Sequence, residues 1–184
     1  MDKDLALEAF ARELAPPDEQ IDLGRAALVM ARVEYPELSV PAHVRQLDEL
    51  AEAAPRGARQ GGEVERLHPL REYLFEEAGF AGNREDYYDP RNSFLNDVLD
   101  RRLGIPITLS LLLIEVGQRV GLALEGVGLP GHFIASARLP TGQILLDPFN
   151  GGAILTPDAC AHLVERAVGR RVPLSPAAFA PVSR

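Results

Sequence analysis

At 184 residues with 46% apolar content, the chain is long enough to bury one sizeable core. Its 27 acidic residues against 19 basic ones give a formal charge of −8, which disfavours the concentrated basic face that nucleic acid requires. One cysteine, Cys160, excludes an intrachain disulfide and a cysteine-based metal cage, and the longest apolar run, Leu109 to Ile114, is too short to span a bilayer.

The N-terminus, Met1-Asp2-Lys3-Asp4, leads into a charged amphipathic segment rather than an apolar signal core. Leu5, Leu7, Phe10 and Leu14 recur at helical spacing until Pro16-Pro17 stops them. Asp22 is placed to cap a second helix that ends before Tyr35-Pro36, and a third is expected from about Pro41 to Ala54. The glycine- and charge-rich run Pro55 to Gly62 has little to bury and reads as a mobile loop. A fourth helix is expected from Glu63 to Ala78, ended by Gly79.

Ser93 reads as the N-cap of a helix over Phe94 to Leu103, closed by Gly104. Pro106 suits the first position of the next helix, where its missing N–H is not needed. That helix, Ile107 to Val120, is apolar nearly all round in its early turns, the mark of a buried central helix. Glu115, Gln118 and Arg119 are expected in water. The period then changes to short strands at Glu125 to Leu129, His132 to Leu139 and Gln143 to Phe149, with hairpin chemistry at Leu139 to Gln143. Thr156-Pro157-Asp158 starts a final helix to about Ala167, and the tail from Val172 onward is expected to be loosely ordered. The fold class is therefore α+β, with N-terminal helices followed by a small antiparallel sheet against a buried helix.

Gly126, Gly128 and Gly131 fit the glycine spacing of a dinucleotide loop. Such a loop needs a strand before it and a helix after it, because the helix N-terminus binds the pyrophosphate. Here a strand follows, and Pro130 removes a backbone donor inside the motif. The pattern is better read as a turn that delivers His132. Asp147 lies on the next strand, where a carboxylate can fix a histidine's tautomer and support its imidazolium form. A two-residue turn at Pro140-Thr141 makes the pair diagonal neighbours on one face, whereas a three-residue turn separates them. The chain's four histidines are scattered without paired ligand spacing, so no metal site and no cofactor is expected.

Four motifs occur in order: Asn92-Ser93-Phe94-Leu95-Asn96, then Gly104-Ile105-Pro106-Ile107-Thr108-Leu109-Ser110-Leu111-Leu112, then Gly126 to Phe133, then Leu146-Asp147-Pro148-Phe149-Asn150-Gly151-Gly152. Together they resemble the SirB family of bacterial transglutaminase-like proteins, with weaker similarity reaching Leu23 and Val168. The resemblance implies a transglutaminase-like, papain-like core in which a cysteine opens the central helix and a histidine and an aspartate follow on adjacent strands. His132 matches the histidine and Asp147 the acid, but the cysteine position falls at about Pro106. Asn92, Pro106, Gly131 and Asn150, one in each motif, are further candidate binding positions.

A thiol at a helix N-terminus is activated because the dipole stabilises its thiolate, and Pro106 supplies no nucleophile. Thr108 and Ser110 carry hydroxyls that would need His132 as base. Cys160 falls on an apolar helix stripe with Leu163, Val164 and Ala167, where cysteine is usually an inert small hydrophobe. The expectation is a single transglutaminase-like domain over 1–169, with a helical part to about 80, a core from about 92 to 169 and a loose tail over 170–184. It is expected to be a soluble, cytoplasmic, non-catalytic binding or regulatory module with an unknown protein or peptide partner, neither nucleic acid nor membrane. The alternative is an amide or ester hydrolase or acyltransferase using Ser110 or Cys160 with His132 and Asp147. Family members often continue into a C-terminal helical-repeat region, and partner binding by such repeats does not carry over to this chain.

Overall fold

Asp22 accepts the Arg25 N–H at 2.8 Å and starts α2 (Leu23–Ala31), as its spacing predicts. In the computed structural model, which describes residues 3–139 and 142–182, α2 is flanked by α1 (Lys3–Glu13) and α3 (Val40–Ala53). The Pro55–Gly62 run is largely exposed, as its composition predicts, but it is anchored at one point. Arg56–Ala58 forms a 3-10 turn, Ala58 is fully buried, and Arg66 Nε donates to the Ala58 carbonyl at 3.2 Å. The next helix also differs from expectation: α4 (Glu63–Glu72) gives way to a π turn over Tyr73–Glu77, closed by the Ala78 N–H on the Tyr73 carbonyl at 2.7 Å.

Ser93 is not an N-cap. Pro90–Ser93 winds as a 3-10 turn set by Asp89, whose carboxylate accepts the Arg91 N–H at 3.0 Å. Helix α5 (Leu95–Arg101) then starts from Phe94 without a side-chain cap. Arg102, not Gly104, takes the left-handed conformation that ends it, with φ of 61°. Gly104 instead belongs to β2 (Leu103–Gly104), which pairs in parallel with β1 (Ala81–Gly82). A side chain on Gly104 would meet Thr108 Oγ1 at 2.8 Å, so glycine serves close approach there rather than a turn.

Pro106 opens α6 (Pro106–Arg119), whose Leu109, Leu112, Leu113 and Val116 are buried on all sides. Glu115 is buried rather than in water, because Arg119 neutralises it: Nη1 donates to its Oε2 at 2.7 Å. The sheet is an antiparallel meander of β3 (Leu124–Leu129), β4 (His132–Leu139), β5 (Gly142–Asp147) and β6 (Ala153–Leu155), the last without a sequence signal. Pro140 and Thr141 lie outside the described residues, but the pairing of Leu139 with Gly142 is the shorter register, with two residues between the strands.

One face of the sheet, through Leu124, Ala135, Ala137 and Leu146, joins the main core built on α6. On the other, Val127, Leu129, Ile134 and Leu145 pack with Cys160 and Val164 of α7 (Pro157–Val168). Thr156 caps α7 by accepting the Ala159 N–H at 3.1 Å. The tail expected to be loose packs against this second cluster through Val172, Leu174 and Phe179, and the Val182 N–H donates to the Gly126 carbonyl at 2.9 Å. Among the described residues, no helix is long and apolar enough to cross a membrane.

Candidate functional site

Leu129 pairs with His132, so Pro130-Gly131 is a two-residue hairpin turn. Gly131 adopts φ of +71°, and a side chain there would meet Ala167 and Val168 at 3.1 Å. Glycine is thus needed both for the turn and for the approach of α7. The turn fixes His132 as the first residue of β4, and the β4–β5 register carries position 147 opposite 134, one diagonal step away. His132 Nε2 lies 3.0 Å from Asp147 Oδ1. By strand alternation the pair falls on the α7 side, with Ile134 and Leu145.

Asp147 is wholly buried, and its second oxygen, Oδ2, accepts from Asn150 Nδ2 at 2.5 Å. Asn150 Oδ1 in turn accepts from the Arg84 guanidinium. Phe149 stands edge-on to the His132 ring at 6.2 Å, and Arg84 lies over the Phe149 ring at 5.6 Å. Gly82 admits this arrangement, since a side chain there would lie 2.6 Å from both the Phe149 ring and its carbonyl. His132 Nδ1 has no hydrogen-bond partner among the described residues and is not sealed from solvent. A cleft of about 450 Å³ opens beside the carboxylate, between Asp147, Asn150, Leu155 and the α7 residues Ala159, His162 and Arg166.

The hydroxyls and the thiol are otherwise engaged. Thr108 Oγ1 donates to the Asn92 carbonyl at 2.8 Å, and buried Ser110 Oγ is directed to the Phe133 carbonyl at 3.5 Å. Gly117 packs beside Leu124, which pairs with Ala137, so α6 and β4 run side by side in one direction. That parallel course brings Pro106 level with the His132 end of the strand. Cys160 is fully buried, and its thiol is pushed up to about 11, first by burial and then by the Asp147 charge. A thiol with so high a pKa holds only about one thiolate in ten thousand molecules near neutrality. None of these three side chains hydrogen-bonds His132 among the described residues.

Asn92 is fully buried. Its side-chain amide donates to the Asp86 carbonyl at 2.8 Å and accepts from Asn83 Nδ2 at 3.0 Å, holding the preceding loop, while its backbone carbonyl is the acceptor for Thr108 of α6. Pro106 is buried, Asn150 half-buried and Gly131 exposed. Sequence reasoning missed Arg84 and the ring of Phe149. No local pattern marks Arg84, whose link to the site runs through a partner 66 residues away. Among the described residues, no group of three or more histidine, cysteine or carboxylate side chains gathers as a metal site. A separate apolar groove of about 650 Å³ lies between α1, α2, α6 and β3, lined by Phe10, Met30, Ile107, Leu111 and Phe133.

A family described as the transglutaminase-like superfamily matches residues 41–184. The "UPF0162 protein" of Xylella fastidiosa is 40% identical over 161 residues, covering 85% of this chain and 56% of that protein. A "UPF0162 protein" of Pseudomonas aeruginosa is 34% identical over 180 residues, covering 93% of this chain and 60% of that one. "F-box only protein 21" of Mus musculus is 37% identical over 106 residues, 53% of this chain and 17% of that protein. The chain spans little more than half the length of these bacterial relatives. With its match over 41–184 and its helix-on-sheet core, the chain belongs to the transglutaminase-like superfamily.

Proposed function

We propose that this chain is a single transglutaminase-like domain of the SirB type that has lost its thiol and serves as a binding or regulatory module for a protein or peptide partner. The observation that carries the reading is Pro106 at the first position of α6, in a chain that keeps the His132–Asp147 pair. A helix N-terminus stabilises a thiolate, but it has no comparable effect on a proline side chain. What persists is a histidine held by a buried carboxylate with one ring nitrogen free, an arrangement suited to accepting a hydrogen bond. A lone buried cysteine and an acidic composition suit a cytoplasmic setting.

The alternative, a hydrolase or acyltransferase using Ser110 or Cys160, has less support. Ser110 is directed to a backbone carbonyl, and the Cys160 thiol is shielded and held protonated. The test is turnover of a panel of amide and ester acyl donors, with and without an amine acceptor. Wild-type protein and His132→Ala are expected to show the same background rate. A wild-type rate that His132→Ala abolishes would overturn the proposal.

A further inference from the structure

A carboxylate beside an imidazole can be held in several ways, and here the hold comes from outside the hairpin. Ionised Asp147 only accepts hydrogen bonds, so the nitrogen 3.0 Å from its Oδ1 carries the proton. In its neutral form His132 is then the Nε2–H tautomer, with Nδ1 as the ring's acceptor. The other carboxylate oxygen would be free to rotate the group away were it not bound by Asn150 Nδ2 at 2.5 Å. An amide can present either end, and reversing Asn150 would turn its oxygen against the carboxylate. Arg84 settles the direction, because a guanidinium has only donors and therefore takes the amide oxygen. Arg84 itself comes from the segment after β1 and lies across the Phe149 ring, which flanks His132. The chain of contacts is closed and each link has one chemically permitted polarity.

We propose that Asn150 and Arg84 are positioning residues that lock Asp147 and hold His132 in the Nε2–H tautomer, presenting Nδ1 to an N–H or O–H donor of the ligand. The proposal rests on reading His132–Asp147 as the frame of a binding site. It adds that the frame's polarity is imposed by Arg84, a residue of the helical half of the chain. A purely structural role for Arg84 would leave the histidine's proton unaffected.

The test is nuclear magnetic resonance of the full chain labelled with 15N, following the His132 Nε2–H proton, assigned by its loss in His132→Ala. Wild-type protein is expected to show a downfield Nε2–H proton that exchanges slowly with water. Asn150→Leu keeps a similar volume and removes the donor facing Asp147 without adding a charge. Arg84→Met keeps a stem over Phe149 at an exposed position where folding is not at risk. Each is expected to speed exchange of that proton about tenfold or more, the effect of losing one charge-assisted hydrogen bond. If wild-type protein shows the proton and both variants retain its shift and exchange rate, the positioning role is overturned and the frame stands. If wild-type protein lacks the proton, the frame itself is wrong.

Discussion

Asp147 is the residue on which the site turns. Its carboxylate is fully buried and answers two donors, His132 Nε2 and Asn150 Nδ2. Asp147→Ala leaves both donors without an acceptor in a shielded place and is expected to cost about 3 kcal/mol, measured as the fall in unfolding free energy in urea. A loss below about 1 kcal/mol would mean that water replaces the carboxylate at little cost. Cys160 gives a second residue-level expectation, with a definite sign. Its thiol is raised from 9.0 to about 11 by burial and the Asp147 charge, so the folded chain holds that proton more tightly than the unfolded one. The resulting stability is fully present below pH 9 and is lost as pH rises from about 9 to about 11. Native protein at pH 8 should resist a thiol reagent and react once unfolded in urea. Native reaction at the rate of free cysteine would show that the site is open and its thiolate accessible.

At the scale of elements, the turn after β5 is held from two directions. Phe149 fits against the bare backbone of Gly82 in β1, and Asn150 is fixed by Arg84 just beyond it. Gly82→Ala would place a methyl group 2.6 Å from the Phe149 ring and its carbonyl oxygen. It is expected to destabilise by about 2 kcal/mol, within the range for overpacking. The same change should broaden or shift the His132 ring resonances, because the displaced turn carries Phe149 and Asn150. Elements with strong local chemistry were legible in the sequence: Asp22 before α2, Pro106 at the head of α6, Thr156 before α7, and the Pro130-Gly131 turn. The two-residue strands β1 and β2 were not, since two residues carry no periodicity. They arise because loop backbone must find partners, as the Asn83 N–H does on the Gly104 carbonyl at 2.9 Å. Ser93 misled for a related reason. Asp89 sets the turn before α5, and its hold on the Arg91 backbone was not visible in the spacing.

For the molecule as a whole, the candidate site was half legible. His132 and Asp147 announced themselves by position, and their diagonal contact depended on a hairpin register that two alternative turns left open. Arg84 could not be read, because its connection exists only once the helical half has folded onto the sheet. Composition gave no sign that Ala58 within Pro55–Gly62, or Val172, Leu174 and Phe179 of the tail, would pack on the core. The architecture leaves a protected histidine–carboxylate pair with a proline at the head of the central helix. The most direct measurement is intact-mass analysis of wild-type protein and His132→Ala after exposure to an activated acyl ester. The expected result is the same sparse, non-stoichiometric labelling in both. A single stoichiometric acyl adduct on Thr108, Ser110 or Cys160 of the wild-type chain, absent from His132→Ala, would contradict a non-catalytic role.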